Sequence, residues 1–502
     1  MALNIPGLIA MIGFYVAVLA TGIWASKKAK AKTTSGTVTE VVMLGERSIN
    51  LAIGIFTMTA SWVGGGYILG TAEAVYNPNK GLIWAQMPLQ YALAYIVGGL
   101  FFAKPMRERK YVTVIDPFQI RYGKIMTVLM VIPALVGDMF NLACSLTALG
   151  GMVSTIIGLQ HVYSVMISAA VAIIYTLLGG LYSVAYTDVI QLIFIFIGLG
   201  LGAMSFQSFQ QRNLSSVSPA KAQITCFAAA VLSVIVSVPS TLIGAVAAST
   251  DWNQTDYGTP SPYERNEAHK ILPLSLENLA PSYVSIIGIG AITAAAMSSI
   301  DSFLLSVACM FTSNLYKNII RKKASDKELQ LVIRITVVVA GSIGIALTFI
   351  ENSIVFFWIL SADMAYCIVF PQLICVLFSE ISNTYGAVVG FVLSLLLRLL
   401  SGEPLIGLPS VICFPGGEII DDVYIQPVPV RTVVALCAFL CILLFSYIFA
   451  SLFRRGILPK RWDVFGITKI TVPTLDNQNS VPISLNDADG ESLMMSSDVT
   501  KS

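Results

Sequence analysis

Apolar runs long enough to cross a bilayer recur from Gly7 to Ser451 with few charges inside them, and no other feature restricts the fold of this chain as strongly. A hydrocarbon core offers an open backbone no hydrogen-bond partner, so only helices and closed β-barrels cross it. These runs far exceed the roughly ten residues of a barrel strand. The chain therefore reads as an all-α polytopic membrane protein. Only 12% of its 502 residues are charged, about half the share in a soluble domain, and mean hydropathy is +0.78. The net charge of +2 builds no basic face for nucleic acid, because Lys and Arg sit in short loops between the runs.

Twelve candidate spans follow: 6–26, 49–73, 82–103, 124–149, 162–180, 186–206, 224–248, 283–315, 330–350, 355–378, 384–400 and 432–453. Basic loops at 27–32, 104–124, 317–327 and 454–461 mark the cytoplasmic side. The polar segment 251–270 holds the sequon Asn253-Gln254-Thr255 and reads as an extracellular loop glycosylated at Asn253; Asn213-Leu214-Ser215 is a second sequon. The first run is followed by SKKAKAK rather than a cleavage site, so it reads as a span with the N-terminus outside. From about Gly466 the chain is polar, which suggests a disordered cytoplasmic tail. The expected organisation is a transporter-like domain over 1–453 and a tail over 454–502.

Counting sides exposes a conflict. Alternation from the first span leaves the sixth ending outside. Working back from the basic C-terminal loops and Asn253, the span 224–248 must begin inside. Twelve spans cannot join an outside N-terminus to an inside C-terminus, whereas thirteen can. The mismatch falls on the connector SFQSFQQRNLSSVSPAKAQ at 205–223.

Three stretches carry chemistry. In MTASWVGGGY (58–67), Gly64, Gly65 and Gly66 each weaken a helix by about 1 kcal/mol relative to Ala. Glycines there either allow close helix packing or break a span so that freed carbonyls can hold a cation. Trp62 beside them offers a ring face to a cation and an N–H in need of a partner. In AAAMSSIDS (294–302), Ser298, Asp301 and Ser302 share a helix face. Hydroxyls and a carboxylate suit a small hard cation, although Ser can also bond back to its own helix. In GGLYSVAYTDVIQ (179–191), Asp188 opens a span, where it is either a ligand or simply favoured by the helix dipole. Tyr91 and Tyr95 in 82–103, and Phe140 and Asn141 in 124–149, read individually as packing or lipid-facing residues. Asp138 and Arg398 are further intramembrane charges that mark a polar path or a span end. Seven of the eight Cys lie in apolar runs, so no disulfide framework is indicated, and His161 and His269 belong to no metal-ligand pattern. No nucleophile stands with a base and an orienting group, which argues against an enzyme.

The stretches FTMTASWVGGGYILGTAEAVY (56–76), FFAKPMRERKYVTVIDPFQ (101–119), GGLYSVAYTDVIQL (179–192), STDWNQT (249–255), MSSIDS (297–302) and FPQLICVLF (370–378) resemble the choline-transporting branch of the sodium:solute symporter family. The likeness runs over almost all of 1–465. It implies an inverted-repeat fold of five plus five helices with one leading and two trailing spans. The first repeat would cover about 49–206, and the second about 207–378 without its first, broken helix. By resemblance, backbone oxygens of Ala60 and Val63 with Ser298 and Ser299 form the principal sodium site. Asp188, Ser298, Asp301 and Ser302 match a second sodium site found in some relatives. Trp62 and Tyr91 match walls of an aromatic box for a quaternary ammonium, which cannot donate a hydrogen bond and is held by cation–π faces. Asn141, in GDMFN, stands where that branch has an aromatic ring.

The implied activity is sodium-coupled choline symport across the plasma membrane, by resemblance at presynaptic terminals. Chloride as a co-ion follows from the resemblance alone, and a homo-oligomer in the bilayer is compatible with it. Two alternatives stand beside this: a symporter of another small organic solute, suggested by Asn141, and a non-transporting short form that regulates a full-length partner.

Overall fold

The computed structural model describes residues 43–467 apart from 86, 175, 178–205, 404–406, 413–417, 421–422 and 426–429, with isolated positions between 8 and 20. The expected spans 6–26 and 186–206, and the tail beyond 467, lie outside the described residues almost entirely.

Asn50 starts α1 (Leu51–Trp62) by accepting from the Ile53 amide at 2.9 Å, an N-cap that satisfies one orphan donor. After a break, α2 (Gly65–Tyr76) continues at 47° to it. The segment 49–73 is thus a bent pair rather than one rod. α3 (Met87–Val97) runs through a π turn (Gly98–Phe102) into Ala103–Glu108. α4 (Asp116–Ile157) is 42 residues long, with Gly123 at φ 78 separating its first turns from the span expected at 124; only glycine adopts that backbone readily. α5 spans His161–Ile174.

The connector at 205–223 is not a surface loop. It contains α6 (Gln207–Ser215), whose nine residues are all buried. At about 1.5 Å per residue, α6 reaches less than half of the roughly 30 Å hydrocarbon core. It is too short to cross on its own, and it stands where the side count required another span. Gln207 Oε1 accepts from the Val114 amide at 2.7 Å, Gln211 Nε2 donates to the Met43 carbonyl at 2.6 Å, and Arg107 Nε donates to the Ser216 carbonyl at 2.6 Å. Asn213 is fully buried, with its Oδ1 accepting from the Cys226 thiol, so this second sequon is closed to glycosylation. Asn253, in a 3-10 turn (Trp252–Gln254), is exposed.

Ser218 caps α7 (Pro219–Ser249). α8 (Ile271–Asn278) precedes α9 (Ser282–Met310), which a π segment extends to Ile320. Ser325 caps α10 (Asp326–Leu347), whose acidic first turn suits the helix dipole. Then come α11 (Ile354–Asp363), a π turn (Met364–Val369), α12 (Phe370–Phe378), α13 (Thr384–Leu400) and α14 (Val430–Arg454). Two three-residue strands, β1 (Glu418–Ile420) and β2 (Val423–Ile425), pair antiparallel between the last two helices. Among the described residues six helices are long and apolar enough to cross a membrane, seven with the bent pair. The chain divides into two compact units after Phe449, the second ending the described chain with a 3-10 turn at Lys460–Trp462.

Candidate functional site

The break in the first pair lies at Val63 (φ −79, ψ 54) and Gly64 (φ −98, ψ −179), so one glycine of the three stands outside both helices. The last carbonyls of a helix have no partner within it. Here the Thr59 oxygen takes the Val63 amide at 2.8 Å and the Ser61 oxygen takes the Ser299 hydroxyl at 3.1 Å. No hydrogen bond among the described residues ends on the Ala60 or Val63 oxygen. Close packing and a broken span are both realised. A Cβ on Gly64 would stand 1.5 Å from Ser299 Oγ, one on Gly65 2.4 Å from the Ala296 Cβ, and one on Gly66 2.5 Å from Cys144 Sγ.

One face of α9 therefore matches the break residue by residue. Ala296 meets Gly65, Ser299 meets Gly64 and Ser61, and Phe303 meets Trp62 with ring centroids 5.6 Å apart. The spacing 296, 299, 303 is the i, i+3, i+7 stripe of a helix.

Trp62 is the hub of an aromatic cluster. Its ring lies 5.1 Å from Phe206, 5.6 Å from Phe303 and 6.2 Å from Tyr91, all between centroids. Tyr91 stacks on Tyr67 at 5.3 Å, and its hydroxyl accepts from Trp358 Nε1. The Trp62 Nε1 and Tyr67 hydroxyl are buried with no hydrogen-bond partner among the described residues. Tyr95 is packing: its hydroxyl donates to the Met58 carbonyl at 2.8 Å. Asn141 is buried, with its Nδ2 unpartnered among the described residues. It stands one turn beyond Gly137, whose Cβ position would lie 3.4 Å from Phe206, so it belongs to the α4 face beside the cluster.

The second face of α9 carries Ser298, Ser302 and Ser306 at i, i+4 spacing. Ser302 Oγ donates to the Ser298 carbonyl at 2.7 Å and lies 3.4 Å from Asp301 Oδ1. Arg212 Nη2 of α6 donates to Ser302 Oγ at 2.7 Å. Ser306 Oγ donates to Asp138 Oδ2. Asp138 and Asp301 are fully buried, and one oxygen of each, Oδ1 and Oδ2 respectively, has no partner among the described residues. Asp188 lies outside the described residues.

The structure thus brings Ser299 to the broken end that carries Ala60 and Val63, and joins Trp62 to Tyr91. It sets Ser298, Asp301 and Ser302 on a separate face whose neighbour is Arg212. Phe206, Phe303, Trp358 and Arg212 are the members that sequence reasoning missed. Phe303 could have been found from its i+4 spacing to Ser299; Phe206 and Arg212 lay in a stretch read as a connector. The donor set suits a monovalent hard cation: unpaired carbonyl oxygens and neutral hydroxyls. Among the described residues no group of three His, Cys, Asp or Glu could hold a metal ion.

The sodium:solute symporter family model matches residues 43–217 and 192–394. The chain is 45% identical to the human high affinity choline transporter 1, covering 93% of this chain and 89% of that one. It is 42% identical to the high-affinity choline transporter 1 of Torpedo marmorata (96% and 94%) and 40% identical to that of Drosophila melanogaster (92% and 81%). The human match runs over 514 aligned positions, whereas 93% of 502 residues is about 467, so about 47 positions face no residue here. That is enough for one span and a loop. The fold is that of a Na+-coupled sialic acid symporter solved in its substrate-bound outward-open state, with a TM-score of 0.65 at 18% identity, covering 89% of this chain and 98% of that one. The chain is a multi-pass membrane transporter, not an enzyme, and it belongs to the sodium:solute symporter family.

Proposed function

We propose that this protein is a sodium-driven symporter of choline, or a close quaternary ammonium, in the plasma membrane, with the Asn253 end outside and the C-terminus inside. The observation that carries the reading is Trp62 at the end of a broken helix, ringed by Phe206, Phe303 and Tyr91. A quaternary ammonium cannot donate a hydrogen bond, so aromatic faces are its natural replacement for water. The unpartnered Trp62 Nε1 is a donor suited to the hydroxyl of choline.

The coupling follows from adjacency. Sodium held by the Ala60 and Val63 oxygens with Ser298 and Ser299 fixes the backbone on both sides of Trp62. The ion thereby sets the angle of the ring that receives the ammonium. Each positive charge moved inward gains about 2.3 kcal/mol per 100 mV of membrane potential.

Radiolabelled choline uptake tests this. Sodium-dependent uptake that Trp62→Ala abolishes is the expected result. Absent uptake with normal surface delivery would overturn it for this chain, and loss of mass on glycosidase treatment, removed by Asn253→Gln, checks the orientation. Two features favour other readings. The unpartnered Asn141 amide suits a solute with a hydrogen-bond acceptor, which competition by such solutes would reveal. The roughly 47 unmatched positions favour a short form that regulates a full-length relative. That reading expects no uptake alone and altered uptake when the two are expressed together.

A further inference from the structure

The face of α9 that carries Asp301 is reached by a cation already built into the chain. Arg212 is 2% exposed, and its Nη2 donates to Ser302 Oγ at 2.7 Å. A hydroxyl ligates a small cation through a lone pair, and the Ser302 oxygen gives one of its two to the Arg212 guanidinium, whose charge repels a cation at the other, while its own proton goes to the Ser298 carbonyl. The helix bearing Arg212 is pinned ahead of it by Gln207 on the Val114 amide and Gln211 on the Met43 carbonyl, and beyond it by Arg107 on the Ser216 carbonyl. Asp301 is fully buried beside this contact, with Oδ2 unpartnered among the described residues. A carboxylate inside a membrane protein persists opposite a cation, and Arg212 brings one to within a single hydroxyl of it.

We propose that Arg212 is a tethered cation standing in the Asp301–Ser302 half of the ion site. This chain then loads one sodium, at the Ala60, Val63, Ser298 and Ser299 position, where the family resemblance leaves room for two. The proposal rests on the sodium reading above and specifies how many ions that reading uses. Removing the guanidinium charge frees the Ser302 lone pair and uncovers Asp301, which opens the second position.

The test is the thermal midpoint of the purified full chain against sodium concentration, with potassium holding ionic strength constant. The steepness of the rise counts ions bound by the folded state: about one for the wild type and for Arg212→Lys, and about two for Arg212→Gln and Arg212→Met. A wild-type slope of about two, or neutral variants that stay at about one, overturns the proposal. A wild type indifferent to sodium overturns the sodium reading, and the proposal falls with it. If neither neutral variant folds, the wild-type slope still decides between one ion and two.

Discussion

Two buried charge clusters in this bundle are built on opposite principles. Where α11, α13 and α14 meet, Asp363 and Glu403 each face both Arg398 and Arg431, with Arg398 Nη2 at 2.6 Å from Asp363 Oδ2 and Arg431 Nη2 at 2.9 Å from Glu403 Oε2. Two carboxylates meet two guanidiniums, and every Asp363 oxygen is used. In the seam between α4, α6 and α9, Asp138 and Asp301 each keep an oxygen with no partner among the described residues, and Arg212 donates to the Ser302 hydroxyl. Buried charge that is matched inside the chain ties helices together. Buried charge left partly unmatched is costly to keep, and inside a membrane protein it marks a functional position.

The comparison breaks first, and by most, at Arg398. Arg398→Ala leaves Asp363 and Glu403 buried with one guanidinium between them, and should cost about 3–5 kcal/mol, as for other broken buried pairs. Denaturant unfolding of the purified chain reads this directly, and a loss below about 1 kcal/mol would show that the cluster does not hold the helices. Gly64→Ala should cost about 1–3 kcal/mol through overpacking. Its new Cβ would lie 1.5 Å from Ser299 Oγ and 2.4 Å from Ser299 Cβ, so rotating the hydroxyl away gives no relief and α1 must part from α9. Sodium-driven uptake should fall with stability, and an unchanged protein would mean that the α9 stripe is not held against the break. Asp138→Asn is the opposite case. The new amide oxygen can still accept from Ser306, so stability should move by less than about 1 kcal/mol, while uptake falls at least about tenfold. Unimpaired uptake would place Asp138 with the structural charges.

Legibility divided along the same lines. The bundle was written in its apolar runs, because an unpaired backbone in lipid is forbidden whatever the packing. The break was visible in three glycines, but not which of them breaks. Gly65 and Gly66 lie inside α2 for close approach to Ala296 and Cys144, a fact set by a neighbouring helix and invisible in a window of sequence. Ser299 and Trp62 were legible because rare residue types stand at helical spacing. α6 was not: nine largely polar residues, QSFQQRNLS, look like solvated connector, and only the side count showed that the membrane must be re-entered there. The partners of Ser302 and Arg398 lie far along the chain, 90 and 35 residues away for Arg212 and Asp363, beyond the reach of any local pattern.

A third way of burying a titratable group is to keep it neutral, and His269 at the Asn253 end of the bundle does this. It is 5% exposed, and its ring lies 5.2 Å from that of His161, nearly perpendicular to it. Burial, reinforced by positive charge on His161 and Lys270, holds the imidazole well below its usual range. The sign follows. The unfolded imidazole takes a proton near pH 6.5, whereas the folded one stays neutral until far lower. The unfolded state therefore binds more protons as pH falls below about 6.5, and stability falls with it, by at most about 1.4 kcal/mol per pH unit for one group. The unfolding midpoint should be lower at pH 5.5 than at pH 7.5, and His269→Gln should shrink the gap. If His269→Gln keeps the full difference, the buried imidazole is not its source, and His269 does not belong with the groups that fold by staying neutral.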